Sequence, residues 1–151
     1  MATRPEPLPS PFDSRVQVML DEPLAPDVVL AVAQIAVTAE PVGNLRWQLH
    51  EDGRLFFVAR STIEGDWKVP FDRPLPDQAT RALPERDVKA LFAALDAAKF
   101  WSHAGYENDE QIGGGTYILV RARRGGTLHN VVYQNVKSKL ITRLAQISDA
   151  Q

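Results

Sequence analysis

Two dipeptides, Asp52-Gly53 and Gly125-Gly126, constrain this chain most, because each separates two runs rich in β-branched and aromatic residues by only two positions. A connection that short needs backbone with positive φ, which Asp-Gly and Gly-Gly accept at little cost, and it returns the chain antiparallel to itself. Two β-hairpins are therefore predicted. In the first, a two-residue turn sets Glu51 opposite Arg54, Leu49 opposite Phe56, Trp47 opposite Val58 and Leu45 opposite Arg60 on a core face. His50–Leu55, Gln48–Phe57 and Arg46–Ala59 then pair on the other side. In the second, Ile118–Tyr133, Val120–Val131 and Ala122–His129 form the apolar face. Tyr117, Leu119, Arg121, Arg123, Leu128, Asn130 and Val132 share a mixed face, either turned to solvent or covered by a helix.

Helices are expected where the apolar period changes from two to 3.6. After Pro84, the residues Val88, Leu91, Phe92, Leu95 and Ala98 fall within an arc of roughly 120°. Val136, Leu140, Leu144 and Ile147 fall within about 80° near the C-terminus, with Asn135 as the predicted cap. Upstream, Val16, Val18 and Leu20 alternate as in a short strand, and Val28 to Thr38 reads as a second, although its alanines would also suit a helix. Another short strand is expected through Trp67 to Val69, inside a proline-rich crossover. The predicted fold is α+β: a mostly antiparallel sheet, built from two hairpins and N-terminal strands, packed with two amphipathic helices.

With 151 residues, 44% hydrophobic and 24% charged, the chain suits one domain over residues 16–151. Residues 1–15, with prolines at 5, 7, 9 and 11, read as a flexible proline-rich arm. The longest apolar run is about half the roughly 20 residues a membrane helix needs, and no secretory signal pattern occurs, so no membrane span is expected. No cysteine is present, which excludes disulfides, thiolate metal sites and thiol nucleophiles.

Charge is distributed unevenly. Residues 1–110 carry 11 basic and 18 acidic side chains, whereas residues 111–148 carry six basic and none acidic. Such a basic third could meet an anionic partner or the acidic remainder of the same molecule. Its candidate contacts are Arg121, Arg123, Lys139 and Arg143. Lys139 and Arg143 flank one edge of the apolar stripe of the last helix and Lys137 the other, as snorkelling cations do, which does not make one cationic surface and makes nucleic acid a poor candidate.

The chemistry-bearing residues concentrate in one loop. His103, Tyr106, Glu107, Asp109 and Glu110 offer nitrogen and oxygen donors within eight positions, but in neither a zinc-protease nor a calcium-loop spacing, so the metal question stays open. Ile112-Gly113-Gly114-Gly115 precedes a strand, not a helix, and so reads as a mobile entry or bulge and not as a phosphate cradle. No catalytic constellation and no cofactor motif are present. The leading expectation is a non-catalytic binding or interaction protein whose partner is another protein. The alternatives are an enzyme or a small-ligand or metal site on the His103–Glu110 loop, and anion binding by the basic third.

The order of elements resembles a group of small bacterial, often envelope-associated, domains of uncharacterised function. The resemblance rests on Glu51-Asp52-Gly53-Arg54-Leu55-Phe56, then Leu91, Leu95, Phe100, Trp101 and Tyr106, then Tyr117 to Val120, His129 to Tyr133 and Leu140 to Ile147. It spans residues 45–148 and implies a bacterial cytoplasmic or periplasmic protein, without assigning any catalytic residue. The cysteine pair of some members is absent.

Overall fold

The computed structural model describes residues 14–36, 45–59, 74–108 and 116–149. Most of the proline-rich arm, the expected strand at Trp67 to Val69, the glycine run at 113–115, and Asp109 and Glu110 lie outside them, as does Arg60. The chain is α+β, with three helices and one seven-stranded, mostly antiparallel sheet among the described residues. The helices are α1 (Ser14–Asp21), α2 (Glu85–Ala97) and α3 (Lys139–Asp149). The strands are β1 (Val28–Ala36), β2 (Leu45–His50), β3 (Arg54–Ala59), β4 (Arg81–Ala82), β5 (Tyr106–Asn108), β6 (Thr116–Arg124) and β7 (Thr127–Gln134), in spatial order β4-β3-β2-β1-β6-β7-β5.

β1 lies at the centre, antiparallel to both β2 and β6, and carries the apolar content of a strand buried on both faces. On one face Leu30, Val32, Trp47, Leu49, Leu55, Val120, Ala122, Val131 and Tyr133 meet Leu91 and Leu95 of α2 and Leu140 and Leu144 of α3. On the other, Ala33, Ile35, Tyr117, Leu119 and Val132 are covered by Val16 and Met19 of α1. The mixed face of β6 and β7 is therefore the helix-covered one of its two alternatives.

β6 and β7 pair as their Gly125-Gly126 turn requires, with Ile118 opposite Tyr133, Val120 opposite Val131 and Ala122 opposite His129. β2 and β3 do not follow the register read from Asp52-Gly53. Leu49 faces Leu55, Trp47 faces Phe57 and Leu45 faces Ala59, one residue away from the two-residue-turn alignment. The connection is a three-residue loop, Glu51 to Gly53, closed by the Gly53 amide on the His50 carbonyl at 2.9 Å and by the Arg54 amide on an Asp52 carboxylate oxygen at 3.1 Å. One residue of slip exchanges the faces of β3. Leu55 and Phe57 now join the helix-covered core, and Phe56 and Val58 turn to the side of α1.

Tertiary contact explains the choice. Gly53, at φ +92°, accepts the Leu83 amide on its carbonyl oxygen at 2.8 Å, and a Cβ on it would stand 2.4 Å from the Leu83 carbonyl oxygen. Only glycine lets the segment before α2 seat against this loop.

The Val16–Leu20 segment is a further correction: it forms helix α1 and not a strand. Val16, Met19 and Leu20 turn inward at helical spacing while Val18 stands exposed, so docking to the sheet decided between two patterns present in the same letters. At the other end, Asn135 does not cap α3. It ends β7 at φ +57°, exchanging hydrogen bonds with the backbone of Thr116. The capping residue is Ser138, whose hydroxyl accepts the Ile141 amide at 3.2 Å. No helix among the described residues is long and apolar enough to cross a membrane.

Candidate functional site

The two candidate residue sets from the sequence meet the fold in different ways. Arg121 is 6% exposed, and its guanidinium donates to the carbonyl oxygens of Met19 at 3.2 Å and Glu22 at 2.7 Å and to Asn130 Oδ1 at 3.2 Å. Burial pushes its pKa below the usual guanidinium value, against the raising influence of Glu22 and Asp21. Arg123 donates to the Val28 carbonyl at 3.2 Å. Arg121 thus fastens the N-terminal segment to the sheet, and Arg123 ties β6 to the start of β1. Lys139 and Arg143 lie with the helices on the opposite face, so the four cations do not form one surface.

That opposite face holds the concave feature of most chemical interest. The pocket has a volume of about 510 Å³ and sits where α2 ends, α3 begins and β5 joins the sheet. Its construction starts at Lys99, whose φ of +56° breaks α2 and redirects the chain through a 3₁₀ turn at Phe100–Ser102. His103 is extended, Gly105 turns at φ +104°, and Tyr106 to Asn108 then run parallel to β7 with Glu107 opposite Tyr133. This register brings Glu107 and Tyr133 to the side of α2 and α3. Tyr106 and Asn108 face away and bond Gln134, with Asn108 Nδ2 donating to Gln134 Oε1 at 3.1 Å. Of the loop residues singled out in the sequence, His103 and Glu107 line the pocket, Tyr106 does not, and Asp109 and Glu110 lie outside the described residues.

The polar wall is ordered by a short chain of hydrogen bonds. The Gly105 amide donates to His103 Nδ1 at 3.2 Å, which leaves that nitrogen as acceptor and puts the proton of the neutral ring on Nε2. Nε2 lies 2.9 Å from Glu107 Oε1 and donates to it. Behind them His129 Nε2 donates to the His103 carbonyl at 3.1 Å, while its ring stands edge-on to Phe100 at 5.1 Å. His129 is therefore a brace for the loop, on the inner face where its place opposite Ala122 predicted it. The His103 ring packs against that of Tyr133 with centroids 5.4 Å apart.

Tyr133 is 4% exposed, lines the pocket, and exchanges no hydrogen bond with any described residue through its hydroxyl. Burial, aided by the nearby Glu107 carboxylate, pushes its pKa up to about 12, so the phenol is protonated at neutral pH and can only gain by finding an acceptor. Ala94, Ala97, Ala98 and Leu140 supply the apolar wall, and Ser138, Lys139 and Arg143 its third side. Lys139 makes no ion pair with a described residue, and Arg143 makes only a 3.4 Å contact with Gln146 Oε1.

Sequence reasoning missed Tyr133 and the alanines. Their signals were present: a phenol on an otherwise apolar strand face needs a destination for its hydroxyl, and small residues at the end of α2 leave space against α3. Another missed pairing is Asp27 with His50, whose Oδ2 and Nδ1 are 2.8 Å apart. Arg54 Nη2 approaches the same carboxylate at 3.6 Å. Among the described residues no group of three or more His, Cys, Asp or Glu side chains is arranged to hold a metal ion. Compared with protein-family models and with curated protein sequences, the chain matches none of them.

Proposed function

We propose that the protein is a non-catalytic binding protein whose ligand is a small molecule held in the pocket between α2, α3 and β5. The observation that carries this reading is the convergence of His103, Glu107, Tyr133, Lys139 and Arg143 on one apolar-walled space of about 510 Å³. Ligand sites are typically of this size, mostly apolar, with few directed polar groups and a perturbed titratable residue among them. The pocket draws on both sequence candidate sets, the His103–Glu110 loop and the basic C-terminal third, which were separate alternatives in the sequence.

A binding role is favoured over a catalytic one by the state of the polar groups. Glu107 is engaged by His103, His103 is fixed at both nitrogens, and the Tyr133 phenol is a poor base or nucleophile with its proton held so firmly. Arg121 and Arg123, the residues that suggested a partner with an acidic surface, are spent on internal carbonyls.

The test is Ala97→Trp, which places an indole in the pocket from an exposed helix position. A library of small molecules screened by ligand-observed NMR should yield binders to the wild-type protein that the variant loses while its backbone spectrum stays folded. Binders retained equally by both proteins would overturn the reading.

A further inference from the structure

We infer that the pocket takes an organic anion, a carboxylate or a similarly small acid group on an apolar body, with the acid seated at the start of α3. The inference deepens the small-ligand reading and rests on it. Ser138, Lys139 and Leu140 form the first turn of α3 and line the pocket. The Ser138 hydroxyl and carbonyl serve the amides of Ile141 and Thr142, whereas the amides of Lys139 and Leu140 precede the first intrahelical bond. Two backbone donors and the positive end of the helix dipole therefore meet the cavity, with the Lys139 ammonium and the Arg143 guanidinium on the same helix one turn apart.

A helix start with flanking cations occurs on many surfaces; the independent indication is Tyr133. Its side chain comes from the sheet, not from α3, is almost wholly buried, and brings into the pocket a hydroxyl that no described residue satisfies. The hydroxyl is open to the pocket while the rest of the side chain is buried, and an acid oxygen seated there gives it a charged acceptor, a stronger partner than water. The Glu107 carboxylate limits how deep the acid can sit. It is held by His103 on the β5 side, which leaves the α3 side as the place where an added negative charge meets cations. Ala94, Ala97, Ala98 and Leu140 then receive the apolar body.

The probes are octanoate, 1-octanol and octylammonium, which share one chain and differ in the charge of the head. They are titrated against isotope-labelled full-length protein and followed by backbone amide shifts. Octanoate should saturate shifts at Lys139, Leu140 and Tyr133, and Lys139→Ala and Arg143→Ala should each weaken it on the order of tenfold, the worth of one charge-assisted hydrogen bond. Tyr133→Phe should weaken octanoate more than 1-octanol, whose neutral hydroxyl oxygen is the weaker acceptor. Should 1-octanol or octylammonium bind the same residues as tightly as octanoate, the acid inference falls and the small-ligand reading stands. Shifts confined to other parts of the protein, or none with any of the three, would overturn both.

Discussion

Arg121 Nη1 lies 2.7 Å from the Glu22 carbonyl oxygen, and this contact, together with the one to Met19, ties the end of α1 to the middle of the sheet. The side chain is a structural strut: one buried cation satisfies carbonyls that the last turn of a helix leaves without intrahelical donors. Arg121→Ala should lower unfolding free energy by about 3 kcal/mol, since it leaves buried acceptors unpaired as well as removing a charge-assisted bond. Urea denaturation measures the loss. Hydrogen exchange should localise it, with α1 amides losing protection well before those of β6 and β7. Arg121→Lys should recover only part, because an ammonium cannot reach the Asn130 amide and both carbonyls from one rigid fork.

Gly53 and Gly126 both sit at positive φ, +92° and +80°, yet their surroundings differ. A Cβ at Gly53 meets the Leu83 carbonyl oxygen at 2.4 Å, while one at Gly126 meets nothing within 4 Å. Gly126→Ala should therefore cost only the backbone strain, about 1 kcal/mol. Gly53→Ala adds a collision with backbone that cannot rotate away, and should cost about 2–4 kcal/mol in the same urea assay. Equal costs at the two positions would contradict the close approach of Leu83.

These same residues explain what could be read from the letters. Gly125-Gly126 stands clear of other chain segments, so local turn preference alone set the register of β6 and β7, and the sequence reading of it holds. Asp52-Gly53 carried the same local signal, but the Leu83 backbone and the Asp52 side chain favour the three-residue loop, and neither is visible from the dipeptide. Val16 to Leu20 fits a strand and a helix equally over so short a window, and only the face that Ala33, Ile35 and Leu119 offer decides. The pocket was half legible. His103 and Glu107 drew attention by their chemistry, and Lys139 and Arg143 by their charge. That they share a cavity depends on the parallel pairing of β5 with β7, a long-range contact with no local signature.

His50 Nδ1 holds Asp27 Oδ2 at 2.8 Å, and the hydrogen bond from His50, more than the charge of Arg54, keeps the Asp27 carboxyl below its usual value of 3.8. Because the folded pKa lies below the unfolded one, the stability this group contributes is present above about pH 4 and is lost as pH falls through the depressed folded value. Asp52, lowered chiefly by the Arg54 amide, titrates in the same direction. Urea midpoints of wild type and Asp27→Asn should differ at pH 6 and converge below pH 4. A gap that persists unchanged to pH 2 would assign the effect of the substitution to packing and not to charge.

Tyr133 works in the opposite direction. Its pKa is raised to about 12, so the folded state keeps the phenolic proton after the unfolded chain, titrating near the ordinary value of 10, has released it. The contribution of this group is therefore intact below pH 10 and declines as pH climbs toward 12. Tyr133→Phe removes both the titration and a hydroxyl without a described partner, while keeping the ring against His103. The ligand-free variant should melt close to wild type at pH 7, since the hydroxyl makes no hydrogen bond with a described residue whose loss would cost stability. Between pH 10 and 12 its stability should fall less steeply than that of wild type. Ultraviolet titration should place one tyrosine near pH 12 in wild type and none there in the variant. A clear drop in melting temperature at pH 7 would mean that the hydroxyl is satisfied in the ligand-free protein, and would remove the driving force assigned to it in the pocket.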